Sequence, residues 1–147
     1  MKDTILKEEL RQFLVNYHNL NDYESLAGKD GVMKYFNRVG SIQYDPLNVV
    51  GRNPDIVLQS KVQGYKPEIL ESLLYKEHAL VDGYDKEMNI YRAEDYPLFA
   101  KIREAHTQST IKTLSYRGQL EALDILDDIR RFIRENGITG SKDISIG

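Results

Sequence analysis

Between Ser41 and Pro54 the chain gathers Gln43, Asp45, Asn48, Arg52 and Asn53 around Pro46, Gly51 and Pro54. Proline fixes the backbone and glycine frees it, so such a run holds polar side chains on turns. In an extended segment residues two apart share a face, which brings Gln43 and Asp45 together and turns Tyr44 away. A carboxylate so placed can stabilise a developing cation and accept a proton from water. An amide with both donor and acceptor can hold that water, or the group it attacks. The same residue types also make plain turns, because Asp and Asn bond their own backbone and proline presets a dihedral. Arg52 serves equally well as an ion-pair partner for Asp45 or Asp55.

The elements that must position this segment are legible from periodicity. Leu6, Leu10, Phe13, Leu14 and Tyr17 predict an amphipathic packing helix over residues 4–17. Asp30 reads as the N-cap of a second helix through Met33, Phe36 and Val39, stopped at Gly40. Residues 41–45 read as extended, because Pro46 biases its predecessor away from helix. Asn53 as cap and Pro54 at the first helical position start a third helix ending at Gly64, and Pro67 starts a fourth with Ile69, Leu70, Leu73 and Leu74 on one face. Residues 79–81 and 88–91 read as two short strands around Asp82–Lys86, a hairpin wing. Residues from Glu94 to about Leu114, and then the stripe Leu120, Leu123, Leu126, Ile129 and Ile133 closed by Gly137, predict two long helices.

The expected class is therefore mainly α with a small β-hairpin wing: a winged-helix (helix-turn-helix) domain followed by long helices. The expected division is a winged-helix domain at 1–92, connecting helices at 93–136, and at 137–147 the start of a second winged-helix unit. On that reading the chain is the amino-terminal part of a longer protein. The stripe from Leu120 to Ile133 would then stand exposed and favour a homodimer.

Composition removes several chemistries. With no cysteine there is no disulfide, thiolate–metal or thiol-nucleophile chemistry. His18, His78 and His106 lack ligand spacing, so no metal site and no cofactor are expected. The amino terminus lacks the apolar run of a signal peptide and no stretch reads as a membrane span, so a cytoplasmic, nucleoid-associated protein with no membrane partner is expected. Net charge is -3, and residues 1–65 carry 8 basic and 8 acidic side chains against 12 and 15 in the rest. Bulk electrostatics thus gives no support for nucleic-acid binding. Locally, residues 98–118 hold Lys101, Arg103, Lys112 and Arg117 against Glu104 alone, which reads either as a phosphate-facing surface or as a solvated helix face.

The run from Val39 to Asp55, then Leu58-Gln59-Ser60-Lys61, resembles the YcaQ/AlkZ-like family of winged-helix DNA glycosylases. So does the stretch from Leu80 to Ile90 with Glu94-Asp95-Tyr96-Pro97. The resemblance implies excision of bases alkylated at the major-groove ring nitrogen of guanine, or unhooking of interstrand crosslinks, with double-stranded DNA as partner. It implies a site built on glutamine, one intervening residue and then glutamine or aspartate, which falls here on Gln43 and Asp45 and places the chain with the Gln-x-Asp branch. The family's architecture combines several winged helices with a carboxy-terminal β-barrel, so the chain by itself is expected to be inactive. An alkylated purine carries positive charge and departs readily; the remaining need is to stabilise the sugar cation and aim a water, which Asp45 and Gln43 suit. No lysine lies in this loop to form a Schiff base, which favours a monofunctional, water-using enzyme. Asn48, Arg52, Gln59, Lys61, Lys86, Lys101 and Arg103 are then supporting or DNA-backbone contacts. Tyr44, Tyr84 and Tyr91 are candidates for stacking on a displaced base, with core packing as the alternative.

Two other classes compete. A non-catalytic winged-helix DNA-binding module would send the helix at Pro67–Tyr75 into the major groove, but Glu68, Glu71 and Glu77 give it the wrong charge. A protein-interaction module would use the net acidity and the late apolar stripe.

Overall fold

The computed structural model describes residues 4–18, 20–21, 26–45, 47–85 and 87–144. Its contacts separate into two compact units, 1–103 and 104–147. The first contains the helices α1 (Lys7–Tyr17), α2 (Gly28–Val39), α3 (Asn53–Gln59) and α4 (Pro67–Tyr75). Strand β1 (Ser41–Gln43) lies between α2 and α3, and β2 (Leu80–Tyr84) and β3 (Met88–Arg92) follow α4.

From α2 to β3 the order is helix, strand, helix, helix, strand, strand, which is the winged-helix arrangement expected from the sequence. The sheet is antiparallel in the order β1-β3-β2. Ile42 faces Ile90 across the β1–β3 pair, and Asp82 faces Ile90 from the other side. The central strand β3 buries Asn89, Ile90 and Tyr91 in succession, as a strand flanked on both edges can.

Helices and sheet share one core. Val32 and Phe36 of α2, Leu58 of α3, Leu70 and Leu73 of α4, and Ile42, Leu80 and Ile90 of the sheet pack together with Leu26 and Val62. Fully burying each such side chain contributes about 1.5–3 kcal/mol, so this core, rather than surface ion pairs, holds β1 against the helices.

Several boundaries differ from expectation, each for a local reason. Helix α2 begins at Gly28 behind Ala27, leaving Asp30 inside the first turn, where a carboxylate complements the helix dipole, rather than at the cap. Helix α1 starts at Lys7, where the Leu6 amide donates to Glu9 Oε2 at 3.0 Å. It leaves Leu10, Phe13 and Leu14 exposed instead of packed. Asn53 is the first residue of α3 rather than its cap, Pro54 is the second, and the helix ends at Gln59, well before Gly64. Strand β2 runs on to Tyr84, which tightens the wing to a turn in which the Asp85 amide donates to the Glu87 carbonyl.

The segment after the wing begins as a 3-10 turn, Ala93–Phe99, because Pro97 within it cannot donate, and becomes the helix α5 (Ala100–Tyr116) only afterwards. In the second unit the expected single stripe is broken into a 3-10 turn at Leu120–Leu123 and the helix α6 (Leu126–Asn136), closed by Gly137 at φ 76°. Leu120, Ile125, Leu126 and Ile133 are exposed on this unit. Residues 145–147, at the end of the expected further unit, lie outside the described residues.

Candidate functional site

Strand alternation sets the first site residue. Ile42 is buried, Gln43 is exposed, and Tyr44 packs against the core while its amide continues the pairing to the Met88 carbonyl at 2.8 Å. Gln43 therefore projects from the solvent face of an edge strand. Its backbone carbonyl accepts a hydrogen bond from Asn53 Nδ2 at 2.8 Å, tying β1 to the first turn of α3. That bond brings the two ends of the loop between β1 and α3 together at Gln43.

Asp45 is half-buried just beyond the strand, and its Oδ1 accepts the Leu47 amide at 2.9 Å. This is an Asx turn, the local motif by which aspartate bonds two residues ahead. Gln43 and Asp45 thus stand two residues apart at the neck of one loop, Gln43 exposed and Asp45 half-buried. At its tip Leu47, Val49 and Val50 stand 69%, 88% and 88% exposed, with Asn48 exposed among them.

The far side of the neck is fixed by charge. Arg52 Nε donates to Asp55 Oδ2 at 2.5 Å, and Arg52 Nη2 reaches Glu71 Oε1 on α4 at 3.4 Å. Arg52 is thus a structural partner of Asp55. The hydrogen bond to Asp55 holds the Arg52 guanidinium above its ordinary value, against the lowering effect of burial. The other Asp55 oxygen accepts the Tyr65 hydroxyl at 2.5 Å. Burial first, and this hydrogen bond second, push the Tyr65 hydroxyl well above the usual tyrosine range. Arg52, Asp55, Tyr65 and Glu71 together clamp α3 to α4 immediately behind the loop.

The remaining predicted contacts are dispersed. Lys61 Nζ donates to the His18 carbonyl at 3.2 Å. Arg103 lies 3.5 Å over the Tyr96 ring and donates to the Tyr96 carbonyl at 2.6 Å. Gln59 is exposed at the end of α3 and Lys101 on α5. Lys86 lies outside the described residues, as does Pro46. On the wing, Ser41 Oγ donates to Asp85 Oδ2 at 3.3 Å. Tyr91 is no platform for a displaced base: it is fully buried and stacks on Phe99 with centroids 4.4 Å apart.

Sequence reasoning missed the Asn53 strap, the Tyr65 bond and the apolar loop tip. Asn before Pro is so regular a helix-start pair that the sequence alone points its amide to capping. The tip did leave a signal: two adjacent valines between a proline and a glycine, with no helical or strand period to bury them.

Among the described residues no group of His, Asp and Glu is arranged to hold a metal ion, and no helix is long and apolar enough to cross a membrane. Comparison with curated proteins and with solved structures gives no match. The family model of the AlkZ-like DNA glycosylases matches residues 36–147, a span that takes in β1, the loop, the clamp, the wing and all that follows. By that match, the chain belongs to the AlkZ-like family of DNA glycosylases.

Proposed function

We propose that this chain carries the base-excision site of a monofunctional DNA glycosylase of the Gln-x-Asp branch. It acts on duplex DNA bearing alkylated purines or interstrand crosslinks. The observation that carries the reading is the loop neck: exposed Gln43, its carbonyl strapped by Asn53, with half-buried Asp45 two residues on, inside the span matched by the family.

The chemistry follows from the residue types. Alkylation at a ring nitrogen puts positive charge on the base, so the bond electrons pass to the base without a strong general acid. The sugar is left as an oxocarbenium-like cation. Asp45 stabilises that cation electrostatically, and the carboxylate takes the proton of the water that attacks the anomeric carbon. Its Oδ1 holds the turn, so Oδ2 is the atom assigned to this work. Gln43 orients the water through its amide, which both donates and accepts. Lys101, Lys112 and Arg117, exposed on and just beyond α5, supply phosphate contacts. Arg52, Lys61 and Arg103 act instead as braces within the protein.

The test is release of free alkylated base from methylated duplex by this chain, by any longer chain that contains it, and by the Asp45→Asn form of each. Asp45→Asn is expected to lower release by about 10²–10⁴-fold. Undiminished release by Asp45→Asn refutes the assignment of the carboxylate. Absence of release by every form, from monoadducts and crosslinks alike, leaves a DNA-binding module without catalysis.

A further inference from the structure

We infer that the tip of the β1–α3 loop, Leu47, Val49 and Val50, is a wedge that enters the base stack of duplex DNA at the lesion and holds open the place the target base has left. This rests on the glycosylase reading above. Three observations support it. The tip side chains are 69%, 88% and 88% exposed, and two of them are adjacent β-branched residues that a folded chain ordinarily buries. Both ends of the loop are held: the Asn53 strap and the β1–β3 pairing hold one, and the Arg52–Asp55 pair holds the other. The wedge and the site share one device, because the Asx turn that fixes Asp45 does so by binding the amide of Leu47.

Charge selects the occupant. Residues 41–52 contain one acid, Asp45, and one base, Arg52, and the guanidinium is already engaged by Asp55 and Glu71. A loop so nearly neutral has little to offer phosphate. The apolar part of a duplex is its stack, and branched aliphatic side chains enter it by parting a base step. An enzyme that must take a base out of the stack gains from a group that occupies the gap, since the base otherwise returns to it.

The experiment compares the chain with the double variant Val49→Ser/Val50→Ser and with Val49→Phe. A 2-aminopurine beside an alkylated base reports unstacking by its fluorescence, and base release is measured from the duplex and from the same strand alone. Both variants alter exposed side chains, and their thermal midpoints establish that they fold. The double serine variant is expected to lose at least half of the fluorescence rise at equal DNA occupancy. Its ratio of duplex to single-strand release should fall by about tenfold or more, as for the loss of one transition-state contact. Val49→Phe, a larger wedge, is expected to keep or raise both signals. Wild-type values of both in the serine variant overturn the wedge, and the tip then belongs to a protein contact. Release is measured with this chain and with any longer chain that contains it: if the tip unstacks the reporter but none of these releases base from either substrate, the glycosylase reading fails while the wedge stands.

Discussion

Asn53 directs its side-chain amide to the Gln43 carbonyl at 2.8 Å instead of capping α3, and so makes the position of one proposed site residue depend on another element. Gln43 lies at the end of an edge strand, where one neighbour alone supplies ladder bonds, so the strap is the principal restraint on its carbonyl from the loop side. Asn53→Ala removes the donor and leaves the fold's core untouched. It is expected to lower the rate of base release about tenfold with little change in KM, because misplacement acts on the chemical step rather than on binding. The accompanying loss of stability should be about 1 kcal/mol, the ordinary net value of one hydrogen bond. Asn53→Asp, which cannot donate, should behave as Asn53→Ala does. Parallel loss of DNA binding in both variants would show that Asn53 acts on the interface instead of on Gln43.

At the scale of elements, the wing rests on a close approach of two strands. A methyl group at Gly83 of β2 would overlap the Tyr91 hydroxyl, which is buried and has no hydrogen-bond partner among the described residues. Gly83→Ala should therefore destabilise the chain by about 1–3 kcal/mol. Tyr91→Phe, which deletes the orphaned hydroxyl, should be neutral or stabilising by about 1 kcal/mol. The double variant should recover much of the Gly83→Ala loss, and urea denaturation of the four forms gives that coupling directly; strict additivity would place the hydroxyl away from Gly83.

The α3–α4 clamp predicts a pH dependence. The folded-state pKa of Tyr65 is raised above its unfolded value, so its contribution is fully present below pH about 10 and is lost as pH rises beyond. Unfolding midpoints followed from pH 8 to pH 11 should fall toward the alkaline end, and less steeply in Tyr65→Phe; equal slopes would exclude Tyr65 as the source. These elements also mark what the sequence could reveal. Periodicity found α2, α4 and both wing strands, because their apolar positions face one core. It also found α1 and the late helices, but not that the stripe of α1 lies exposed, nor where the late helices start, because Pro97 and the break after Leu123 act on backbone geometry that a stripe of leucines does not record. Gln43 and Asp45 were legible as types and spacing, whereas the Asn53 strap and the Tyr65 bond join residues ten apart whose meeting depends on the folded loop.

For the whole molecule the deciding quantity is charge. Net charge is -3, and Arg52, Lys61, Arg92 and Arg103 all have hydrogen-bond partners within the protein. Helix α4, the element a groove-reading regulator would present to DNA, carries Glu68 and Glu71 exposed on its surface. On the proposed reading the exposed cations Lys101, Lys112 and Arg117 are the ones that neutralise phosphate. Each phosphate neutralised contributes about -0.9 to the slope of log affinity against log salt, so two or three contacts give a slope of about -2 to -3. Affinity for a duplex should fall only about 10–50-fold between 50 and 200 mM salt, where a protein making six to ten such contacts loses about 10³–10⁵-fold. Fluorescence anisotropy across that range measures the slope. A shallow slope means that the salt-insensitive part of binding dominates, as it must if apolar side chains at the loop tip enter the stack. A slope near -6 or steeper would mean that cations beyond these three, such as the exposed Lys34, Lys66 and Lys76, also reach phosphate, and the proposed set of contacts would be wrong.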